Sequence, residues 1–228
     1  MFQYIKRMNE PSASLLLLLL LSTDFVLIML HIIIATFTPE SPLCNLEGIC
    51  AYMNIYHLIM LFWVIILLAY VLKSTRCFYY GSWIFAFTFF LFDDALLLHQ
   101  KIGDNLSSIF DSYPYYLRLG SRFWELAVLA IAGMVLFVVI AWAYFHGPHV
   151  FRKISNDMLL FFVALLFFGL IVDFAITIKL GPTIIFGLGF VEDGGELVFD
   201  SLILWYVFLL AIRNGKSDLF LLDMLRIS

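Results

Sequence analysis

The sequence predicts an all-α integral membrane protein, a bundle of six transmembrane helices, and three observations predict it. Hydrophobic residues make up 64% of the 228 positions and charged residues 13%, against about 45–50% and about 25% in a soluble domain. Mean hydropathy is +1.02. The apolar residues also gather into runs close to the ~20 residues that a helix needs to cross a ~30 Å hydrocarbon core. With 25 Phe, 11 Tyr and 5 Trp, a soluble fold of this size has nowhere to hide its apolar surface. A soluble enzyme, a disordered tail and a nucleic-acid-binding module are excluded. The partner for most of the chain is the lipid bilayer.

The spans fall at roughly 14–36, 55–72, 78–98, 123–145, 158–178 and 196–212, and residues 1–228 read as one transmembrane domain. The first is the purest, with an unbroken Leu15 to Leu21 preceded by Lys6 and Arg7. Its length of about 23 residues exceeds the 7–15 of a signal-peptide core, so it is expected to be retained. The loop after it holds Cys44 and Cys50 and no Lys or Arg. A local disulfide and two unpaired thiols both fit that loop. Between the third and fourth spans, Ile102, Leu106, Ile109, Phe110 and Tyr113 follow helical spacing up to Pro114. This predicts an amphipathic segment on the outer surface. The stretch before the sixth span is Gly-rich (Gly181, Gly187, Gly189, Gly194 and Gly195) and reads as a re-entrant or interfacial segment.

Positive charge orients the bundle. Of the thirteen Lys and Arg, Lys101, Arg118, Arg122 and Lys179 lie on one face, and the rest flank the termini, the 2–3 loop and the 4–5 loop. The positive-inside bias therefore predicts cytoplasmic N- and C-termini. A bacterial inner membrane or its equivalent is the expected location.

Ionisable residues inside spans cost several kcal/mol and so carry the functional information. Here they are Asp24, His31, Asp93, Asp94, His99, Glu125, Asp173, Lys179, Glu196 and Asp200, with His57, Glu192 and Asp193 at the margins. On the predicted topology they gather in the outer, exported half and leave the inner half nearly free of charge. Glu192, Glu196 and Asp200 stand at i, i+4 and i+8 on one helical face. Such like charges need protons, a cation or basic partners. Asp24 and His31 share a face at i and i+7. Asp93 and Asp94 point about 100° apart and are expected to serve different partners.

Three functions fit this pattern. In the first, His31, His57, His99, Asp93, Glu125 and Asp200 ligate a divalent metal such as zinc, iron or copper, with Glu196 or Asp94 as general base. The protein is then a metal-dependent hydrolase acting on lipid at the outer leaflet. The scattered His and Asp are broadly similar to those of lipid-cleaving membrane hydrolases such as the alkaline ceramidases; the motifs do not correspond residue by residue, and no family is assigned. In the second, the same carboxylates, with Asp24, Asp173 and Glu192, bind protons or cations. In the third, the protein is a non-catalytic subunit of a larger membrane complex, with salt bridges to Arg118, Arg122 or Lys179. A metal centre requires the histidines to converge with the acids, whereas a structural network requires the basic residues among them.

Overall fold

The computed structural model describes residues 10–37, 51–110, 121–168 and 182–215, and every regular element among them is helical. In chain order these are α1 Pro11–Phe37, α2 Ala51–Thr75, a 3-10 turn Phe78–Tyr80, α3 Gly81–Leu96, α4 Leu98–Phe110, α5 Ser121–His146, α6 His149–Leu166 and α7 Pro182–Ile212. Four stretches are long and apolar enough to cross a membrane: Pro11–Ile34, Tyr52–Thr75, Phe123–His146 and Asp193–Ile212. Counting α3 and α4, which meet at 63°, as one broken span makes five.

α1 opens with Pro11 at its first position, where the missing N–H costs nothing, and the Glu10 carbonyl accepts from the N–H groups of Ala13 and Ser14. Leu15, Leu18, Leu19, Phe25 and Val26 are exposed, as expected where lipid is the solvent. α7 occupies the centre instead. Some 61% of its membrane-length window is buried, against 11% for α1. It packs on α1, α2 and α6, and Ile203, Leu204, Tyr206, Val207 and Leu210 are all but fully enclosed. α6 buries Phe151, Ile154, Ser155, Met158 and Phe161, a stripe at helical spacing.

One expectation is corrected. The Gly-rich stretch is not an irregular re-entrant segment, because Pro182–Ile212 runs as one helix of 31 residues, about 46 Å long. Its glycines admit close neighbours rather than breaking the backbone: a Cβ on Gly195 would lie 2.3 Å from Phe168 Cδ1. Small residues at such crossings let membrane helices approach. The segment expected to be amphipathic is helical where it is described. α4 starts at Leu98, directly after the third span, and packs along α5. Gly103 makes this possible, since a Cβ there would stand 2.8 Å from the Glu125 backbone nitrogen. The rest of that segment, with Pro114, and the end of the fifth span lie outside the described residues, as do Cys44 and Cys50.

The two ends of the bundle differ. At one end Arg213 approaches Glu10 at 3.9 Å and Ser74 Oγ donates to Asn214 Oδ1 at 2.7 Å. Tyr79 also contacts Trp142 and Phe151 there. This end carries Lys73, Arg76, Arg152 and Arg213. Towards the other end lie His57, Asp94 and Asp200.

Candidate functional site

His57 stands a turn and a half into α2, Asp94 two residues before the end of α3, and Asp200 near the middle of α7. Packing of α2 against both α3 and α7 brings the three together. His57 Nδ1 makes a short hydrogen bond with Asp200 Oδ2, and His57 Nε2 lies 3.1 Å from Asp94 Oδ2. The imidazole is thus held between carboxyl groups from two other helices. The Asp200 side chain is 1% exposed and that of Asp94 32%, so the three side chains run from the buried middle of α7 toward a more exposed position on α3.

A neutral imidazole has one N–H and one lone pair. A lone pair cannot face a carboxylate, so either both ring nitrogens carry protons or one carboxyl donates to the ring. Either way, the three groups together hold one proton more than a neutral histidine with two carboxylates. No Lys or Arg among the described residues pairs with Asp94 or Asp200. Among the described residues this proton is the counter-charge at hand.

Asp93 takes a different path. Its Oδ2 accepts from His99 Nδ1 at 2.8 Å and its Oδ1 accepts the His99 backbone N–H at 3.0 Å. Between them Leu97 adopts φ 52° and ψ 46°, a left-handed conformation costing about 1–2 kcal/mol for a non-glycine residue. Asp93 therefore caps the start of α4 and ties the bend together. The adjacent aspartates do turn to separate partners.

A third polar site was not legible in the sequence. Asp157 on α6 is fully buried, and Tyr206 Oη of α7 donates to its Oδ2 at 2.8 Å. Trp83 Nε1 donates to buried Ser155 nearby on α6 at 3.1 Å. Tyr206 is about 9 Å beyond Asp200 along α7, nearer the basic end. The half of the bundle nearer the basic end is therefore not free of ionisable groups. Asp157 sits at the polar edge of a span, among Ser155, Asn156 and Met158, where sequence patterning reads as loop.

The remaining candidates are dispersed. Asp24 is buried on α1, beside Ser201 and Tyr56 and within the electrostatic reach of Asp200. His31 lies two turns on and is half-buried. Glu125 packs over Gly103. Glu196 is half-buried one turn before Asp200, and Glu192 one turn earlier again on the same helix. Asp173, Lys179 and Arg118 lie outside the described residues. Among the described residues, no group of three or more His, Cys, Asp or Glu is disposed to hold a metal ion. His57, the histidine nearest to such a set, has both nitrogens engaged by carboxyls. Cys77, in the joint between α2 and the 3-10 turn, is half-buried, and burial pushes its thiol up from 9.0, the reverse of an activated nucleophile. Comparison with family models, curated proteins and solved structures finds no match for this chain.

Proposed function

We infer that the protein is a proton-handling membrane protein in which Asp94, His57 and Asp200 bind and pass a proton within the bundle. The observation that carries this reading is the imidazole held between two carboxyls from different helices, with no basic side chain paired to them among the described residues. Intramembrane acids without basic partners are the usual means by which membrane proteins bind protons or ions, and histidine changes charge near physiological pH. The buried Asp157–Tyr206 pair supports a path that continues toward the basic end. A metal-dependent lipid hydrolase has less support, because the His and acidic candidates divide between separate sites. The proposed topology has six spans and cytoplasmic termini. The clustering of Lys73, Arg76, Arg152 and Arg213 at one end supports it. The relay then lies roughly 20 Å from that end, counted along α7 from Arg213 to Asp200, in the exported half of a ~30 Å core.

The test is proton flux into proteoliposomes under an imposed pH gradient, read by a trapped pH-sensitive dye. Wild-type protein is expected to dissipate the gradient faster than protein-free vesicles, and His57→Gln and Asp200→Asn to return it to that background. Wild-type flux equal to protein-free vesicles overturns the reading.

A further inference from the structure

The relay leaves polar atoms beside it unused. Asp24 is 1% exposed, and neither of its carboxyl oxygens has a hydrogen-bond partner among the described residues. Asp200 Oδ1 and Tyr56 Oη are likewise buried without one. Ser201 and Tyr56 adjoin the Asp24 carboxyl, yet neither hydroxyl reaches it in hydrogen-bonding geometry. Ser201 instead directs its proton to Met60 Sδ at 3.6 Å, which leaves its oxygen lone pairs for another partner. A buried carboxylate with nothing bound to it is among the costliest arrangements in a membrane protein.

The four groups left with unused oxygen lone pairs here are two carboxyls, a phenol and an alcohol. Such a set suits a hard cation and disfavours zinc or copper, which seek nitrogen or sulfur. Charge selects the valence. The proton held by the relay balances Asp200, and the Asp94 side chain is partly exposed. An ionised Asp24 has one uncompensated negative charge, which a single monovalent cation neutralises.

We propose that Asp24, Asp200 Oδ1, Tyr56 and Ser201 bind one sodium ion between α1, α2 and α7, adjoining the His57 relay through the shared Asp200. The site does not depend on proton passage, so its test needs no gradient. Thermal unfolding of the purified protein is measured in NaCl, KCl, MgCl2 and choline chloride at equal ionic strength, alongside retention of radioactive sodium per chain. Sodium is expected to raise Tm by about 5–10 °C at about 100 times its Kd, with potassium, magnesium and choline giving smaller shifts. About one sodium ion should be retained per chain. Asp24→Asn is expected to abolish both signals, and Tyr56→Phe, which removes one ligand and no charge, to weaken sodium retention about tenfold. The proposal is overturned if wild-type protein shows no sodium-specific shift and retains no label. It is overturned equally if magnesium stabilises more than sodium, or if Tm responds to pH alone, which makes Asp24 and Asp200 a proton-sharing pair. Asp24→Asn protein that binds sodium as wild type also overturns it.

Discussion

Asp93 and Asp94 are neighbours in sequence, each bonded to a histidine, and they sit in opposite kinds of site. Asp93 bonds a residue six positions away on the next helix, and both of its oxygens are used. A neutral His99 with its proton on Nδ1 satisfies that pair completely, so it requires no further proton and no further ligand. Asp94 bonds a histidine 37 positions away, whose other nitrogen is bonded to Asp200, 143 positions further. That arrangement requires an additional proton, and it leaves Asp200 Oδ1 and the nearby Asp24 unsatisfied. The difference separates two uses of buried charge. Local and saturated pairs fix backbone geometry, here a 63° bend. Long-range and unsaturated ones keep the capacity to bind something, at a cost in stability that a structural site has no reason to carry.

The contrast predicts that mutations at the two sites separate stability from function. The largest stability loss is expected from Asp93→Ala, which strands the left-handed Leu97 and uncaps α4, at about 3–5 kcal/mol by the usual cost of removing one partner of a buried pair. Thermal unfolding in detergent checks this, and an unchanged Tm would return Asp93 to the list of functional acids. Gly103→Leu should follow at about 1–3 kcal/mol, because its side chain must enter the space of the Glu125 backbone. Wild-type stability there would mean that α4 does not lie against α5. Tyr206→Phe leaves the buried Asp157 without one donor and should cost about 1–2 kcal/mol. It should also slow proton flux if the path extends inward, and normal flux would confine the path to the outer relay. Asp94→Asn should be the mildest in stability, under about 1 kcal/mol for a partly exposed group, while removing proton flux. Stability loss comparable to that of Asp93→Ala would erase the distinction between the sites.

Much of this was readable from residue order. Long apolar runs located α1, α2, α3 and α5 to within a few residues, because a lipid-facing helix must be apolar all round. The 100° offset of Asp93 and Asp94 foretold separate partners. The i, i+4, i+8 spacing placed Glu192, Glu196 and Asp200 on one α7 face. What failed did so for physical reasons. Glycines lower helix propensity in water by about 1 kcal/mol each, so residues 182–195 read as irregular; in a bilayer, unsatisfied backbone is costlier still, and the helix persists. The union of His57 with Asp94 and Asp200 is a tertiary fact, since no spacing rule links positions 57, 94 and 200. Asp157 escaped notice because its partner is a tyrosine, which carries no charge to attract attention.

The central claim is that His57, unlike His99, belongs to a proton-sharing set. The most direct measurement is 15N NMR of histidine-labelled protein in nanodiscs, with His57→Gln and His99→Gln used for assignment. The wild-type His57 ring is expected to share protons at both nitrogens. Asp200→Asn should change the His57 signals and leave those of His99 unmoved. His57 and His99 rings that both show a single ordinary N–H, and that are both indifferent to Asp200→Asn, would contradict the relay.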